Sequence, residues 1–405
     1  MFELKTIVSR LEQVPAGIWT LGFVSMLMDI SSEMIHALLP IYMVTVLGTS
    51  TLAVGIIEGI AEATAAITKV FSGALSDWLG RRKDLAALGY GLAAFTKPVF
   101  PLAPNLEWLI GARFVDRLGK GIRGAPRDAL IADLAPPEVR GASFGLRQSL
   151  DTVGAFVGPL LAILLMLATA NNFTTVFWIA VIPAFVSFLL IVFFVHEPER
   201  SGALRSVKSP LSRAELANLG RPYWWIVAIA AVFTLARFSE AFLVLRAQSV
   251  GLPVALIPGV LVLMNVAYAL AAYPAGVLSD QMDRRTLLVA GLLVLIGADV
   301  ILASSTTTLG VAIGVAFWGL HMGLTQGLLA TLVADSAPAE LRGTAYGVFN
   351  LVSGLALLAA SVIAGGLWDA VGPSGTFLAG AAFAALSLLG LRVLDGGGRQ
   401  RRGAP

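Results

Sequence analysis

The chain has 405 residues, of which 57% are hydrophobic and 13% charged, with a net charge of +3 and no cysteine. A soluble globular domain carries about 25% charged residues, so the composition excludes one, and the missing cysteines exclude disulfides and thiolate metal sites. The hydrophobic excess recurs along the chain in blocks of about 20 residues, the length that crosses about 30 Å of hydrocarbon.

In chain order, the first sixteen residues carry charges and no long apolar stretch, so no cleaved signal peptide is expected. The apolar blocks predict membrane-spanning helices at 17–44, 52–76, 86–104, 106–132, 142–168, 173–195, 222–247, 254–279, 286–304, 308–334, 343–366 and 373–394. The predicted fold class is an all-α membrane protein of twelve spans. Connections after the even-numbered spans hold Arg81, Arg82, Lys83, Arg140, Arg200, Arg205, Lys208, Arg213, Arg221, Arg284 and Arg285, and the others almost no Lys or Arg. The termini add Lys5, Arg10, Arg399, Arg401 and Arg402. Positive segments stay inside, so both termini are expected in the cytoplasm, in a multi-pass protein of the cell inner (plasma) membrane.

The polar stretch 196–221, with Pro198 and Pro210, reads as a cytoplasmic linker between an N-terminal half, 1–195, and a C-terminal half, 222–394. The Gly- and Arg-rich tail 395–405 is expected to be disordered. An internal repeat supports the cut. ADLAPPEVRGASFG at 132–145 returns as ADSAPAELRGTAYG at 334–347, with eight identities in fourteen positions. GALSDWLGRR at 73–82 returns as GVLSDQMDRR at 276–285, placing Asp280 opposite Asp77. Ser32-Glu33 has a counterpart in Ser239-Glu240. Two pseudo-symmetric six-helix bundles follow.

Ionisable residues inside spans are costly and face protein or water. The fourth span carries Arg113, Asp116, Arg117, Lys120, Arg123 and Arg127. At about 100° per residue they fall within roughly 120° of arc, one stripe. The first span places Asp29, Glu33 and His36 on one face, the second Glu58, Glu62 and Lys69, and the seventh Arg237 and Glu240. Acids of the first two spans are numerous enough to neutralise the stripe, so its cations read either as structural ion pairs or as a site for an anion. Asp151 with Arg147 reads as a structural pair, and Asp299 finds no explanation in the sequence. The second half is nearly bare, with His321, Thr325 and Gln326 in the tenth span and an apolar wall of Phe233, Phe238, Tyr268, Tyr273, Phe317 and Trp318. There is no nucleotide loop, metal-ligand cluster or sizeable soluble domain, so an enzyme, a cofactor, a metal and a nucleic-acid partner are not expected.

Gly73-Ala-Leu-Ser-Asp77-Trp-Leu-Gly80-Arg81-Arg82-Lys83 resembles the signature loop of the major facilitator superfamily. The second copy departs from it, with Asp283 where Gly80 sits. Arg117-Leu-Gly-Lys120-Gly121-Ile-Arg123 resembles the fourth-span motif of its proton-driven members. Gly154-Ala-Phe-Val-Gly158-Pro159 resembles the fifth-span motif of its antiporters, with Ala162 and Ile163 replacing the usual closing glycines. The resemblance implies a secondary transporter working by alternating access, resembling bacterial proton-coupled drug or metabolite antiporters. The implied partners are a small-molecule substrate, protons and the bilayer, in a monomer, because one chain holds both halves. Proton-coupled export leads; proton-coupled uptake of an anionic metabolite or metal chelate is the alternative, and a membrane sensor a third reading.

Asp29 and Glu33 are the expected proton-coupling acids, because two neighbouring carboxylates resist being charged together. Arg113, Asp116, Arg117, Lys120, Arg237, Glu240, Glu58 and Glu62 are the expected substrate cavity. Gly73, Asp77, Gly80, Arg81, Arg123, Arg127 and Asp280 are the expected conformational latch, since charge pairs at such a junction hold one state and release in another. If Asp77 serves the latch, Asp77→Asn slows turnover and raises cytoplasmic accessibility to an impermeant thiol reagent at an introduced cysteine. Wild-type turnover with unchanged labelling removes the latch.

Overall fold

In the computed structural model, residues 13–197, 216, 218–281, 283–325, 328, 332–333, 336–337 and 341–402 are described, some within helices by their backbone only. Most of the expected linker lies outside them, as do Gln326, Asp335 and Glu340. The side chains of Asp77, Tyr273 and Asp280 are also outside the description.

The described chain is helical, as its composition and period require. The helices are α1 (Ala16–His36), α2 (Leu39–Thr45), α3 (Thr51–Leu79), α4 (Arg82–Thr96), α5 (Val99–Leu102), α6 (Leu106–Leu134), α7 (Arg140–Ala168) and α8 (Phe173–Phe194). They continue as α9 (Arg221–Leu235), α10 (Ala241–Ser249), α11 (Gly259–Gln281), α12 (Arg284–Ser304), α13 (Thr308–Thr325), α14 (Arg342–Val371) and α15 (Pro373–Arg402). By length and composition, 10 described helices can cross a membrane, and Arg221–Leu235 is apolar but shorter. The charged stripe keeps α6 out of that set, although its 29 residues are long enough. The last helix runs through Arg402, into the tail expected to be disordered.

Three spans expected to be continuous are interrupted. The first breaks at residues 37–38, the third at 97–98 and the seventh at 236–240. The third break has a local cause. Pro98 lacks an N–H and crowds the preceding turn, so α4 ends at Thr96 and a new helical turn starts at Val99.

The chain folds as two compact units, one of Met1–Leu39 and Thr64–Ser209, the other of Pro40–Ala63 and Pro210–Pro405. In the first unit α1 packs on α7 and α8, and α4 on α6 and α8. In the second, α9 packs on α14 and α15, and α12 on α13 and α15. Each of the four pairings named in the first unit has a counterpart six spans later in the second. Ile18, Leu21, Val24 and Met28 of α1 are buried with Tyr90, Ala184 and Ile191 in the first unit. Tyr223 and Val227 of α9 are buried with Ala345 and Val348 of α14 in the second, where the Tyr223 hydroxyl donates to the Ala345 carbonyl at 3.0 Å.

Without a hydrophobic force between spans in lipid, small residues and close backbones set the contacts. Gly89 of α4 and Gly119 of α6 illustrate this: a Cβ on Gly119 would lie 2.6 Å from the Gly89 carbonyl oxygen, and one on Gly89 2.7 Å from Gly119 oxygen. The N-terminus of α3 is closed by Asp369 of α14, which accepts from the amides of Thr51 at 3.1 Å and Leu52 at 2.9 Å and from the Thr51 hydroxyl. Gly119→Val is therefore expected to force α4 and α6 apart and cost about 1–3 kcal/mol through overpacking. Thermal unfolding in detergent checks it, and an unchanged midpoint contradicts the contact.

Candidate functional site

The stripe of α6 is enclosed within the first unit. Arg113, Asp116, Arg117 and Arg123 are buried, Arg127 is half-buried and Lys120 is exposed. Its centre is an ion pair with a residue the sequence reading passed over. Lys97, at the break of the third span, is 1% exposed and donates to Asp116 Oδ1 at 2.9 Å and to the Ser32 hydroxyl of α1 at 3.1 Å. Asp116 Oδ2 lies 3.7 Å from Arg117 Nε, beyond hydrogen-bond reach. The carboxylate thus belongs first to Lys97. The signal for Lys97 was available: a lysine inside an apolar span needs a partner.

One helical turn away, Arg113 Nη2 lies 2.7 Å from His36 Nδ1. A guanidinium only donates, so Nδ1 is the acceptor and the neutral ring carries its proton on Nε2. Toward the other end of α6, the Arg123 guanidinium lies 4.9 Å from the Tyr90 ring centre, a cation–π contact. The Tyr90 and Ser25 hydroxyls are 3.0 Å apart, and Arg127 donates to Ser25 at 2.9 Å and to Asp128 at 3.1 Å. Arg147 bonds Asp151 at 2.7 Å, the pair read from the sequence.

The two acids of α1 sit where α7 comes closest. A Cβ on Gly154 would lie 2.6 Å from the Met26 carbonyl oxygen and 3.0 Å from Asp29 Cβ. One on Gly158 would lie 2.7 Å from Glu33 Cβ and 2.9 Å from the Ile30 oxygen. Only glycine fits either position, and Pro159 follows within the same helix. Asp29 and Glu33 are half-buried, and the charged groups acting on Asp29 are Asp151, Arg123, Lys120 and Glu33. Of the residues expected to line the cavity, Arg113, Asp116, Arg117 and Lys120 belong to the first unit, while Glu58, buried, and Glu62, half-buried, lie on the part of α3 that belongs to the second.

In the signature loop, Gly80 has φ +64°, a backbone that a side chain disfavours. Arg81 pairs with Asp84 at 2.5 Å in the open. Arg82 reaches Asp133 at 2.7 Å and the Ala129 carbonyl at 2.8 Å. Glu197, also unforeseen, accepts from the amides of Arg82 at 2.7 Å and Lys83 at 3.1 Å, closing the N-terminus of α4. Gly73 faces Ala125 of α6, 3.4 Å from where its Cβ would stand.

In the second unit, Arg237 and Glu240 lie in the interruption between α9 and α10, and both are half-buried. Asp299 acquires an explanation: Trp318 Nε1 donates to its Oδ1 at 3.2 Å, although Oδ2 is buried without a hydrogen bond. His321 is buried, with Nδ1 2.9 Å from the Gly291 carbonyl.

The family model described as Major Facilitator Superfamily matches residues 21–361 and 241–402. An uncharacterised MFS-type transporter of Methanocaldococcus jannaschii is 33% identical over 387 residues, covering 93% of this chain and 94% of that protein. The inner membrane transport protein YajR of Escherichia coli is 26% identical over 385 residues, covering 91% and 81%. Among solved structures, the nucleoside transporter NupG superposes with TM-score 0.77 at 13% identity, covering 94% of this chain and 99% of that one. A bacterial homologue of the human lysosomal transporter Spinster gives 0.72 at 16% identity, covering 93% and 95%.

Breaking a buried ion pair by removing one partner leaves an uncompensated charge, at about 3–5 kcal/mol. Lys97→Met is expected to destabilise the protein by about that much, and Lys97→Met with Asp116→Leu to recover most of it. Unfolding midpoints of the two single variants and the double variant, purified in one detergent, measure the coupling. Simple additivity would show that the pair is not the centre of the stripe.

Proposed function

The chain belongs to the major facilitator superfamily, and from that premise we propose that it exports a small anionic or amphiphilic molecule across the inner membrane in exchange for protons. Both termini lie in the cytoplasm in this reading, and a single chain completes the alternating-access cycle. Members of this superfamily are transporters of small molecules through a membrane and not enzymes, so the open questions are direction, coupling and substrate.

The observation that carries the reading is the seating of Asp29 and Glu33 against the glycines of α7. Gly154 and Gly158 bring the two backbones together at these two acids, one turn apart on α1. Any shift of α7 along α1 changes the surroundings of both carboxyls at once. Their proton occupancy and the helix contact are therefore linked, which is what coupling requires. Antiporter-like glycines at this place favour export. Arg113 and Arg117, enclosed beside the Lys97–Asp116 pair, contact the substrate's anionic group. Arg82 with Asp133, and Glu197 on the end of α4, extend the latch beyond the residues of the signature loop. Uptake of an anionic metabolite or metal chelate rests on the same arginines and differs in direction.

Inside-out vesicles with an imposed pH gradient test the reading. Glu33→Gln is expected to abolish gradient-driven accumulation while leaving substrate exchange, and Asp29→Asn to weaken the coupling. Full gradient-driven transport in both variants removes the assignment, and accumulation only in right-side-out vesicles converts export to uptake.

A further inference from the structure

The seventh span, in the second unit, carries Arg237 and Arg246, and they are treated in opposite ways. Arg246 of α10 is saturated. Its Nε donates to the Leu302 carbonyl at 2.8 Å, one Nη to the Ser249 hydroxyl at 2.9 Å and the other to the Ser305 carbonyl. It closes the C-terminal end of α12 and is structural. The guanidinium of Arg237, in the interruption at residues 236–240, makes no hydrogen bond or ion pair among the described residues. Its guanidinium carbon lies 5.7 Å from the centre of the Phe233 ring. The break does not need it. The Ser239 amide donates to the Ser361 hydroxyl at 3.2 Å, the Ser239 hydroxyl accepts from the Ala241 amide at 3.3 Å, and the Arg237 amide bonds the Thr234 carbonyl at 2.9 Å. A cation pi-stacked on one face keeps its in-plane fork of N–H donors available, the geometry that takes a carboxylate.

The neighbouring wall is aromatic. Phe233 is 5.6 Å from the His321 ring, His321 6.3 Å from Trp318, and Trp318 6.1 Å from Phe238, centre to centre. His321 supplies a second polar feature. The Gly291 carbonyl can only accept, so Nδ1 carries the proton, and in the neutral ring Nε2 is a bare acceptor. That Nε2 is buried and has no partner. The polar groups acting on Arg237 are Glu240, Tyr268 and His321. Arg237 and His321 thus stand against the same phenylalanine, one offering donors and charge, the other a lone pair.

We propose that this break is a further substrate subsite, additional to the anion contacts read at Arg113 and Arg117, for an aromatic carboxylate bearing a ring hydroxyl or amine. The carboxylate docks on Arg237, the ring lies against Phe233 and its aromatic neighbours, and the ring donor serves His321 Nε2. The proposal rests on the transport reading only in taking the ligand to be cargo. Its test measures binding alone, so a failure here leaves direction and coupling untouched.

The purified full-length protein in lipid nanodiscs is titrated with para-hydroxybenzoate, benzoate and para-hydroxybenzyl alcohol by calorimetry and by thermal shift. The expected order is para-hydroxybenzoate tightest, benzoate weaker and the neutral alcohol at least about tenfold weaker, the worth of a charge-assisted hydrogen bond. Arg237→Met is expected to remove carboxylate binding, and Arg237→Lys to weaken it. His321→Phe is expected to equalise para-hydroxybenzoate and benzoate. If Arg237→Met does not fold, Phe233→Leu with Arg237→Lys serves, with a combined loss of about tenfold or more expected. Equal affinity for the acid and the alcohol, no binding of any probe at millimolar concentration, or unchanged carboxylate affinity in the Arg237 variants overturns the proposal.

Discussion

A helix bearing six ionisable side chains on one arc cannot face hydrocarbon, and the first unit is arranged around that constraint. Leaving even one such charge at the bilayer centre costs several kcal/mol. Buried Asp116, Arg113 and Arg123 and half-buried Arg127 are met from other spans by Lys97, His36, Tyr90 and Ser25 in that order, and buried Arg117 stands beside its own neighbour Asp116. The break of the third span follows from the same need. Pro98 ends α4 at the level of Asp116, and the residue it releases from regular helix is the lysine that the carboxylate requires.

Close backbones make these partners reachable. Gly89 and Gly119 bring α4 onto α6, Gly121 brings α6 onto the α3 residues Ala65 and Thr68, and Gly154 and Gly158 bring α7 onto α1. The Ser72 hydroxyl of α3 bonds the Gly121 carbonyl at 2.9 Å, a contact a larger residue at 121 would block. Lysine and arginine side chains long enough to bridge helices then find partners at hydrogen-bond distance. With one or two bulkier residues at these points, the same charges would be held apart and uncompensated.

The spans were legible in the sequence because length and hydropathy are imposed by the bilayer and survive any tertiary arrangement. The internal repeat was legible because the segments at 73–82 and 276–285 keep their order and spacing, whereas the compact units, which give Pro40–Ala63 to the second, depart from a cut at 195. The breaks were not. The interruption at 236–240 carries Arg237, Ser239 and Glu240 but no proline or glycine to mark a break, and the groups that stabilise it include Ser361, more than a hundred residues away. The α6 stripe was legible from its 100° period, but its partners were not, since pairing depends on helix depth and rotation. Arg113 reaches a histidine, and Asp116 goes to Lys97, whose place inside an apolar span called for a partner without showing which. Asp299 had no visible partner because an indole, Trp318 on the next span, supplies the donor.

The polar contacts fall into two energetic classes, and the difference bears on which of them change during a cycle. At helix ends, side chains of the favoured sign close the backbone: Asp369 on the start of α3, Glu197 on the start of α4, Arg246 on the end of α12. Such caps contribute about 0.5–2 kcal/mol each, and water near the membrane surface replaces them when they open. In the middle, Lys97 and Asp116 are both buried, and breaking their pair costs about 3–5 kcal/mol. A transport cycle samples states separated by a few kcal/mol. Contacts at the ends are within that range, whereas the central pair is not unless a ligand takes the place of one partner. On the proposed cycle, conformational exchange is expected to run through the helix ends and the glycine contacts, with the Lys97–Asp116 core moving as one piece.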